Sequence, residues 1–300
     1  MKKWMFLILA GVAWSQPPSV TPIPSCSGMA AWEPERYLVV HDAKDQETNP
    51  RLGMIETRRG CRYQSLEVDW NDRDLPNDLE SIAPVAGETD QFLAVESGYF
   101  RRQSLRIFWL QAERSGEVVR WKSAATLEMP RPVQEIEGAA TCAFPGGERL
   151  LLLGGRGGRE GSAGRIFWAW IEAGRKQLRW TKEGLQGIEF RSPRRLGPYG
   201  RDLSDMYVDD QGRLWVSACT SPGSSGPFRS LIYLAGRVQS NPKEPIHLIE
   251  SSPTVWWVDG CKIEGLAPCS RAGYGPAYAT DDDDLGGIWR AVPATSSLAY

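Results

Sequence analysis

Five stretches share a pattern in which a carboxylate or hydroxyl stands between an apolar residue and a small or acidic one. They read Cys26-Ser27-Gly28-Met29-Ala30, Leu79-Glu80-Ser81-Ile82-Ala83, Ile136-Glu137-Gly138-Ala139-Ala140, Leu203-Ser204-Asp205-Met206-Tyr207 and Ile263-Glu264-Gly265-Leu266-Ala267. If the five positions are equivalent, Glu80, Glu137, Asp205 and Glu264 meet around one opening. Like charges so placed must attract a cation, keep protons or bind basic groups. Calcium suits them, because it takes about six to eight oxygen ligands in loose geometry and needs neither His nor Cys. These four residues are therefore the candidate metal ligands. His41 beside Asp42 is the candidate general base, an imidazole that titrates near neutrality next to a carboxylate. Arg101, Arg102, Arg156 and Arg159 lie in loops, as do the arginines of the stretch from Arg191 to Arg201, and guanidinium groups make two-pronged contacts to phosphate or carboxylate. A cation and arginines at one mouth would polarise an anionic ester or activate water. The competing structural reading has the carboxylates accepting backbone N–H groups of a neighbouring repeat, His41 filling a strand end, and the arginines solvating loops.

The elements that position these residues are strands. Each pattern is followed by an apolar second strand (Tyr37-Leu38-Val39-Val40, Phe92-Leu93-Ala94-Val95, Leu150 to Leu153, Leu214-Trp215-Val216-Ser217, Pro276-Ala277-Tyr278-Ala279). A third strand rich in branched and aromatic residues comes next, and segments such as Val118–Trp121 and Gln177–Trp180 supply a fourth. Short strands of this composition, separated by Gly, Pro and Asn turns, are hairpin signals, and no segment holds a helical period. A four-stranded antiparallel unit repeated in this way predicts an all-β chain, a β-propeller of five blades by motif count. The long third unit, from Ile136 to Asp202, has room for a sixth. The last unit is one strand short, so residues 16 to 25 are expected to close the ring there.

On the residues Ile263-Glu264-Gly265-Leu266-Ala267 with Ala279-Thr280-Asp281-Asp282, and Leu79-Glu80-Ser81-Ile82-Ala83 with Val95-Glu96-Ser97, the chain resembles the secreted propellers grouped as "esterase-like activity of phytase". The resemblance implies carboxylates around a central channel, calcium in some members and a phosphoesterase association. Ser27 and Ser204 depart from it where a carboxylate is expected.

Lys2 and Lys3, an apolar run from Trp4 to Ala13 and small residues at Ala13 and Ser15 read as a signal peptide cut after Ser15. Residues 16–300 then form one secreted or periplasmic domain, expected to be monomeric and without a membrane span. Net charge is −2, which argues against nucleic acid as a partner. The six cysteines are scattered without the paired spacing of a zinc site. Cys219 and Cys261 are expected near each other and able to form a disulfide, with Cys26 as a competitor; Cys142 and Cys269 belong to the opposite face, and Cys61 has no evident partner. Gly154 to Gly161 lacks the ending of a phosphate-binding loop, Asp281 to Asp284 lacks the spacing of a calcium loop, and no Gly-x-Ser-x-Gly elbow occurs. Two functions follow from these readings. One is a calcium-assisted hydrolase or binder of an anionic small molecule such as a phosphate ester; the other is a non-catalytic scaffold for a protein or envelope ligand.

Overall fold

The computed structural model describes residues 22–44, 50–71, 75–99, 105–131, 133, 135–158, 161–194, 196–250 and 255–294. The expected signal peptide, Arg101, Arg102, Arg159 and residues 16–21 of the closing segment lie outside them.

Blade I contains β1 (Gly28–Glu33), β2 (Arg36–Val40), β3 (Leu52–Glu56) and β4 (Arg62–Leu66), paired in that order. Blade II follows, with β5 (Val68–Asp69) set parallel to the outer strand of β6 (Leu79–Pro84), β7 (Gln91–Glu96), β8 (Arg106–Ser115) and β9 (Val118–Glu128). Blade III is β10 (Ile136–Ala143), β11 (Arg149–Gly155), β12 (Gly164–Glu172) and β13 (Gln177–Trp180). A short helix, α1 (Lys182–Gln186), then leads to β14 (Ile188–Phe190), which pairs with the beginning of β12. The long third unit is thus spent on one blade, and the sixth blade that its length allowed does not form. Blade IV has β15 (Asp205–Val208), β16 (Arg213–Cys219), β17 (Arg229–Val238), β18 (Ile246–Leu248) and β19 (Val255–Asp259), the last two sharing one edge of β17. Blade V is three-stranded, β20 (Ile263–Pro268), β21 (Tyr274–Thr280) and β22 (Trp289–Pro293). The chain is an all-β, five-bladed propeller. No helix among the described residues is long and apolar enough to cross a membrane.

The first strands of the blades form the inner ring: β1 touches β6, β6 touches β10, β10 touches β15, β15 touches β20, and β20 returns to β1. Close approach of the neighbouring strand is why the third motif position is glycine in blades I, III and V. A Cβ on Gly28 would stand 2.6 Å from the Cα of Ser81, and one on Gly265 would stand 2.8 Å from the Cβ of Met29. Between blades lie five apolar clusters, one per junction, so each blade buries both faces against its neighbours. The junction of blades V and I is fastened by the chain's beginning. Ile23 bridges Gly287, whose N–H donates to the Ile23 carbonyl at 2.9 Å, and the Cys26 N–H donates to the Thr280 carbonyl at 3.0 Å.

One side chain reaches the ring from its middle. The fully buried Asp205 accepts the Leu266 N–H at 2.6 Å on one carboxylate oxygen and the Met206 N–H at 2.8 Å on the other. The backbone groups of Met29 and Ala139 also favour its charged form. Donors from β1, β10, β15 and β20 thus converge on one carboxylate. Beyond it, a cavity of about 60 Å³ is lined by residues 29–31, 82–84, 139–141, 206–208 and 266–268, three from each inner strand. This carboxylate follows the structural reading of the sequence, and its bonds to backbone leave it no role as a ligand of a cation at the mouth. Removing it strands buried N–H donors, each costing roughly 1–3 kcal/mol. Asp205→Ala is therefore expected to lower unfolding free energy by about 3 kcal/mol or more, read from urea denaturation, with Asp205→Asn falling between it and the parent.

Candidate functional site at the channel mouth

Three glutamates reach the mouth because each sits on a bulge. Leu79 pairs with Glu96 and Ser81 with Val95, so Glu80 is the extra residue. Glu137 is bulged in the same way between Ile136 and Gly138, and Glu264 between Ile263 and Gly265. A bulge re-aims the side chain of its unpaired residue and bends the strand. At the equivalent places Ser27 donates its N–H to the Val40 carbonyl and Ser204 to that of Ser217, each at 3.0 Å or less.

Basic side chains compensate most of this charge. The Arg201 Nη1 donates to Glu137 Oε2 at 2.8 Å and also to Glu264 Oε1. Arg156 stands 3.4 Å from Glu137 and 3.9 Å from Glu135. Lys262, buried beside β20, lies 3.5 Å from Glu264, 2.9 Å from Asp281 and 3.1 Å from Asp283. Burial would raise the Asp281 carboxyl, but Lys262 holds it down at about 2. At Glu264 burial wins instead, pushing the carboxyl up to about 8 although Arg201 and Lys262 pull it down. A chain of alternating charge runs from Asp283 through Lys262, Glu264, Arg201 and Glu137 to Arg156.

Glu80 has no such partner among the hydrogen bonds and ion pairs of the described residues. Burial and the nearby Glu137, Asp78, Glu264 and Asp42 raise its carboxyl well above the ordinary range. It faces a cavity of about 160 Å³ lined also by Lys44, Asp78, Ser97, Tyr99, Glu135, Glu137 and Arg156. Arg156 is shared with a second cavity of about 300 Å³ that contains Tyr199 and Arg201. Arg201 in turn borders a third, of about 460 Å³, walled by Gly158, Arg191 and Leu196. The three lie in series along the mouth of blades II to IV, with Arg156 and Arg201 as shared walls, and Tyr99 (50% exposed) and Tyr199 (60% exposed) line the first and second.

Of the residues expected from sequence, Glu80, Glu137, Glu264 and Arg156 come together here. Among the described residues no group of three or more His, Cys, Asp or Glu side chains is arranged to hold a metal ion, and the Arg201 guanidinium fills the space between two of the expected ligands. His41 does not pair with Asp42. Its Nδ1 lies 2.6 Å from the Ser25 carbonyl, to which it donates, and its Nε2 lies 3.0 Å from the Tyr63 hydroxyl. Burial lowers its pKa accordingly. Asp42 bonds Lys44 at 2.8 Å. The two members of the expected catalytic pair thus bond other partners and not each other. Glu96 is likewise spent on Arg106, at 2.9 Å.

All six cysteines are free thiols, which corrects the expected Cys219–Cys261 disulfide. The buried Cys219 faces Ser204, whose Oγ lies 3.1 Å from its sulfur, while the Cys26 thiol faces the Pro24 carbonyl. Lys262 is the side chain of the mouth that sequence reasoning passed over, while Arg201, expected among the loop arginines facing an anion, instead bonds two of the expected ligands. Each precedes its motif by a residue or two, and the serine at 204 was the available signal that another group fills that blade's place.

No family model matches the chain, and no curated protein matches it either. The likeness to the phytase-associated propellers accordingly extends to the propeller and no further. Solved structures of similar fold include an exo-1,5-α-L-arabinanase from a bovine ruminal metagenomic library, 9% identical over 94% of this chain and 97% of that one, with a TM-score of 0.48. A GH43_1 enzyme from Xanthomonas citri, complexed with xylotriose, is 13% identical over 95% and 92%, with a TM-score of 0.48. A putative exo-β-1,3-galactanase from Bifidobacterium bifidum is 8% identical over 91% of each chain, with a TM-score of 0.49. At these identities the likeness concerns the fold.

The raised Glu80 carboxyl has a consequence for stability. A group whose folded pKa exceeds its unfolded value, near 4.5, favours the folded state at low pH, and that contribution is lost as pH rises through the folded pKa. Thermal melts between pH 6 and 9 should show the parent losing stability towards the alkaline end. Glu80→Gln should flatten that slope and melt about 2 to 4 °C higher at pH 8.5; an unchanged slope would place the Glu80 charge in water.

Proposed function

We propose that the mouth cleft binds a neutral, polyhydroxylated small molecule, a sugar or short oligosaccharide, and that Glu80 acts as the acid in hydrolysis of its glycosidic bond. The observation that carries this reading is the pairing of opposites at the mouth. Burial and the neighbouring acids favour the protonated form of Glu80, which no described basic side chain bonds, while Glu137 beside it is held by two guanidinium groups. One carboxyl group that favours its proton beside another paired with arginines is the arrangement glycoside hydrolysis uses. Glu80 gives its proton to the glycosidic oxygen as the bond from that oxygen to the anomeric carbon breaks. Water then adds to the anomeric carbon and passes a proton to Glu137.

Charge balance favours a neutral ligand. Arg156, Arg201 and Lys262 are already engaged with Glu137, Glu264 and Asp281, so neither sign is left in large excess once Glu80 is protonated. Tyr99 and Tyr199 offer exposed ring faces, with an apolar body and a polar tip, to the C–H face of a sugar. The reading rests on these side chains, since one propeller fold serves many activities. The anionic-ester reading drawn from sequence has less support, because the described arginines of the cleft are committed to carboxylates.

The test is release of p-nitrophenol from a panel of aryl pentosides and hexosides. Turnover that falls about 10²–10⁴-fold in Glu80→Gln, with the fold intact by circular dichroism, is expected. Equal turnover in that variant would remove Glu80 from the chemistry. Sugar binding by calorimetry without turnover would leave a non-catalytic binding propeller. Calcium-dependent release from the phosphate or acetate ester would replace the glycoside reading with the anionic one.

A further inference from the structure

The first cavity of the mouth, beside Glu80, is too small for the whole of an extended ligand. At about 160 Å³ it falls below the range of roughly 300–1,000 Å³ that encloses a drug-sized molecule, so it admits a single ring-sized unit. Beyond the Arg156 wall the second cavity continues for about 300 Å³, and beyond Arg201 the third for about 460 Å³. Gly158, Pro198 and Gly200 border both of these. There the loop after β11 meets the segment that enters blade IV so closely that a Cβ on Gly158 would stand 2.1 Å from the Gly200 carbonyl oxygen. The segment is also tied to the end of β16. The Tyr199 carbonyl accepts the Ser221 N–H at 3.1 Å, Gly200 bridges Thr220, and the Arg201 N–H donates to the Cys219 carbonyl at 2.9 Å. The backbone beside Tyr199 is thus fixed while its ring stays 60% exposed. A large ring held out on a fixed backbone is a ready contact face, because little ordering remains to be done when something binds it.

We propose that the ligand of the mouth is a linear oligosaccharide of at least three units, one to each cavity, and that Tyr199 selects for length by stacking on the second unit. The inference rests on the sugar reading given above. The first unit sits beside Glu80 and Tyr99, and its linkage to the second crosses the Arg156 wall. The second unit lies against Tyr199, and the third passes Arg201 towards Leu196 and Arg191. A sugar ring suits such a path because its C–H faces pack on tyrosine while its hydroxyls meet polar walls. A neutral chain can cross the two arginines, since Arg156 and Arg201 are already paired with Glu137, and Arg201 with Glu264 as well. An anionic chain would have to displace those buried carboxylates. A monosaccharide would fill the first cavity and meet only one of the two exposed tyrosines, leaving the larger part of the path without a use.

Calorimetric titration tests this on the full chain carrying Glu80→Gln, so that no bond is broken, with linear gluco-, manno- and xylo-oligosaccharides of one to five units as probes. In at least one series the affinity should rise roughly three- to tenfold with each unit up to the third. Adding Tyr199→Ala should cut the ratio of three-unit to one-unit affinity by about threefold or more, and Tyr199→Phe should keep it. Because the ring is exposed, neither change opens the core, and a merely structural effect would weaken all lengths alike. One unit bound as tightly as three, or a ratio that Tyr199→Ala leaves unchanged, would overturn the inference while the sugar reading stands. No binding of any series at any length would remove the sugar reading and the inference with it. Length-dependent binding by a parent that turns over no aryl glycoside would support the inference and sink the proposed hydrolysis alone.

Discussion

The Asp205 carboxylate is the constraint on which the remainder of the molecule depends. Five inner strands can approach one axis only if the backbone groups that face it find partners, since a buried N–H without one costs as much as a lost hydrogen bond. A propeller of more blades leaves a wider channel, where water serves this purpose. Here the ring is narrow enough for a single side chain to bridge it. Burial pushes the Asp205 carboxyl up, against the backbone donors that favour its charged form. With its oxygens bound to Leu266 and Met206, Asp205 fixes the height of blade IV relative to blade V, and the small motif residues Gly28 and Gly265 set the spacing.

Once the ring is fixed, the two faces of the disc differ in kind. On the face of the hairpin turns that follow the inner strands, ion pairs tie neighbouring blades: Glu33 to Arg114 at 2.7 Å, Glu88 to Arg149 at 2.8 Å and Glu35 to Arg271 at 3.0 Å. These are partly exposed and contribute about 0–1 kcal/mol each. At the mouth the pairs are buried, and desolvation then offsets most of their attraction. Such pairs are poor devices for stability and effective ones for fixing which group carries a proton. The bulges at Glu80, Glu137 and Glu264 serve the same end, because a regular strand would turn alternate side chains into the blade junctions.

The architecture was legible in the sequence because its signal is repeated. Five copies of one short motif, an apolar residue followed by a carboxylate or hydroxyl, each followed by strands at similar distances, locate every inner strand, and the observed inner strands begin within two residues of the quoted motifs. The three glutamates were legible for the same reason. What defeated sequence reasoning was specific to single copies. Arg201 and Lys262 belong to no repeat, and His41 beside Asp42 has the composition of a general base while its contacts come from Ser25 and Tyr63, residues on other elements. Asp205 looked like one more acid of the mouth. A shift of one position along the motif moves a side chain from the opening to the axis, and only register reveals that. Cys219 and Cys261 were adjacent in topology, yet the Cys219 sulfur is turned to Ser204.

The departures from the repeat are where this propeller becomes particular. Five identical blades would carry five glutamates to the mouth with no counter-ion, an arrangement that only bound cations or protons could neutralise. Blade I replaces its glutamate with Ser27 and blade IV with Ser204, which lowers the acid count and opens room. Blade IV uses that room for Arg201, and blade V adds Lys262 beside its own glutamate. The three remaining glutamates are thereby made unequal: Glu264 touches two cations, Glu137 touches two, and Glu80 none among the described contacts. Chemistry that needs one acid and one carboxylate side by side requires such inequality, and symmetry cannot supply it. The two serines, which weaken the motif as a sequence signal, are the substitutions that turn a symmetric ring of charge into a site with distinguishable groups.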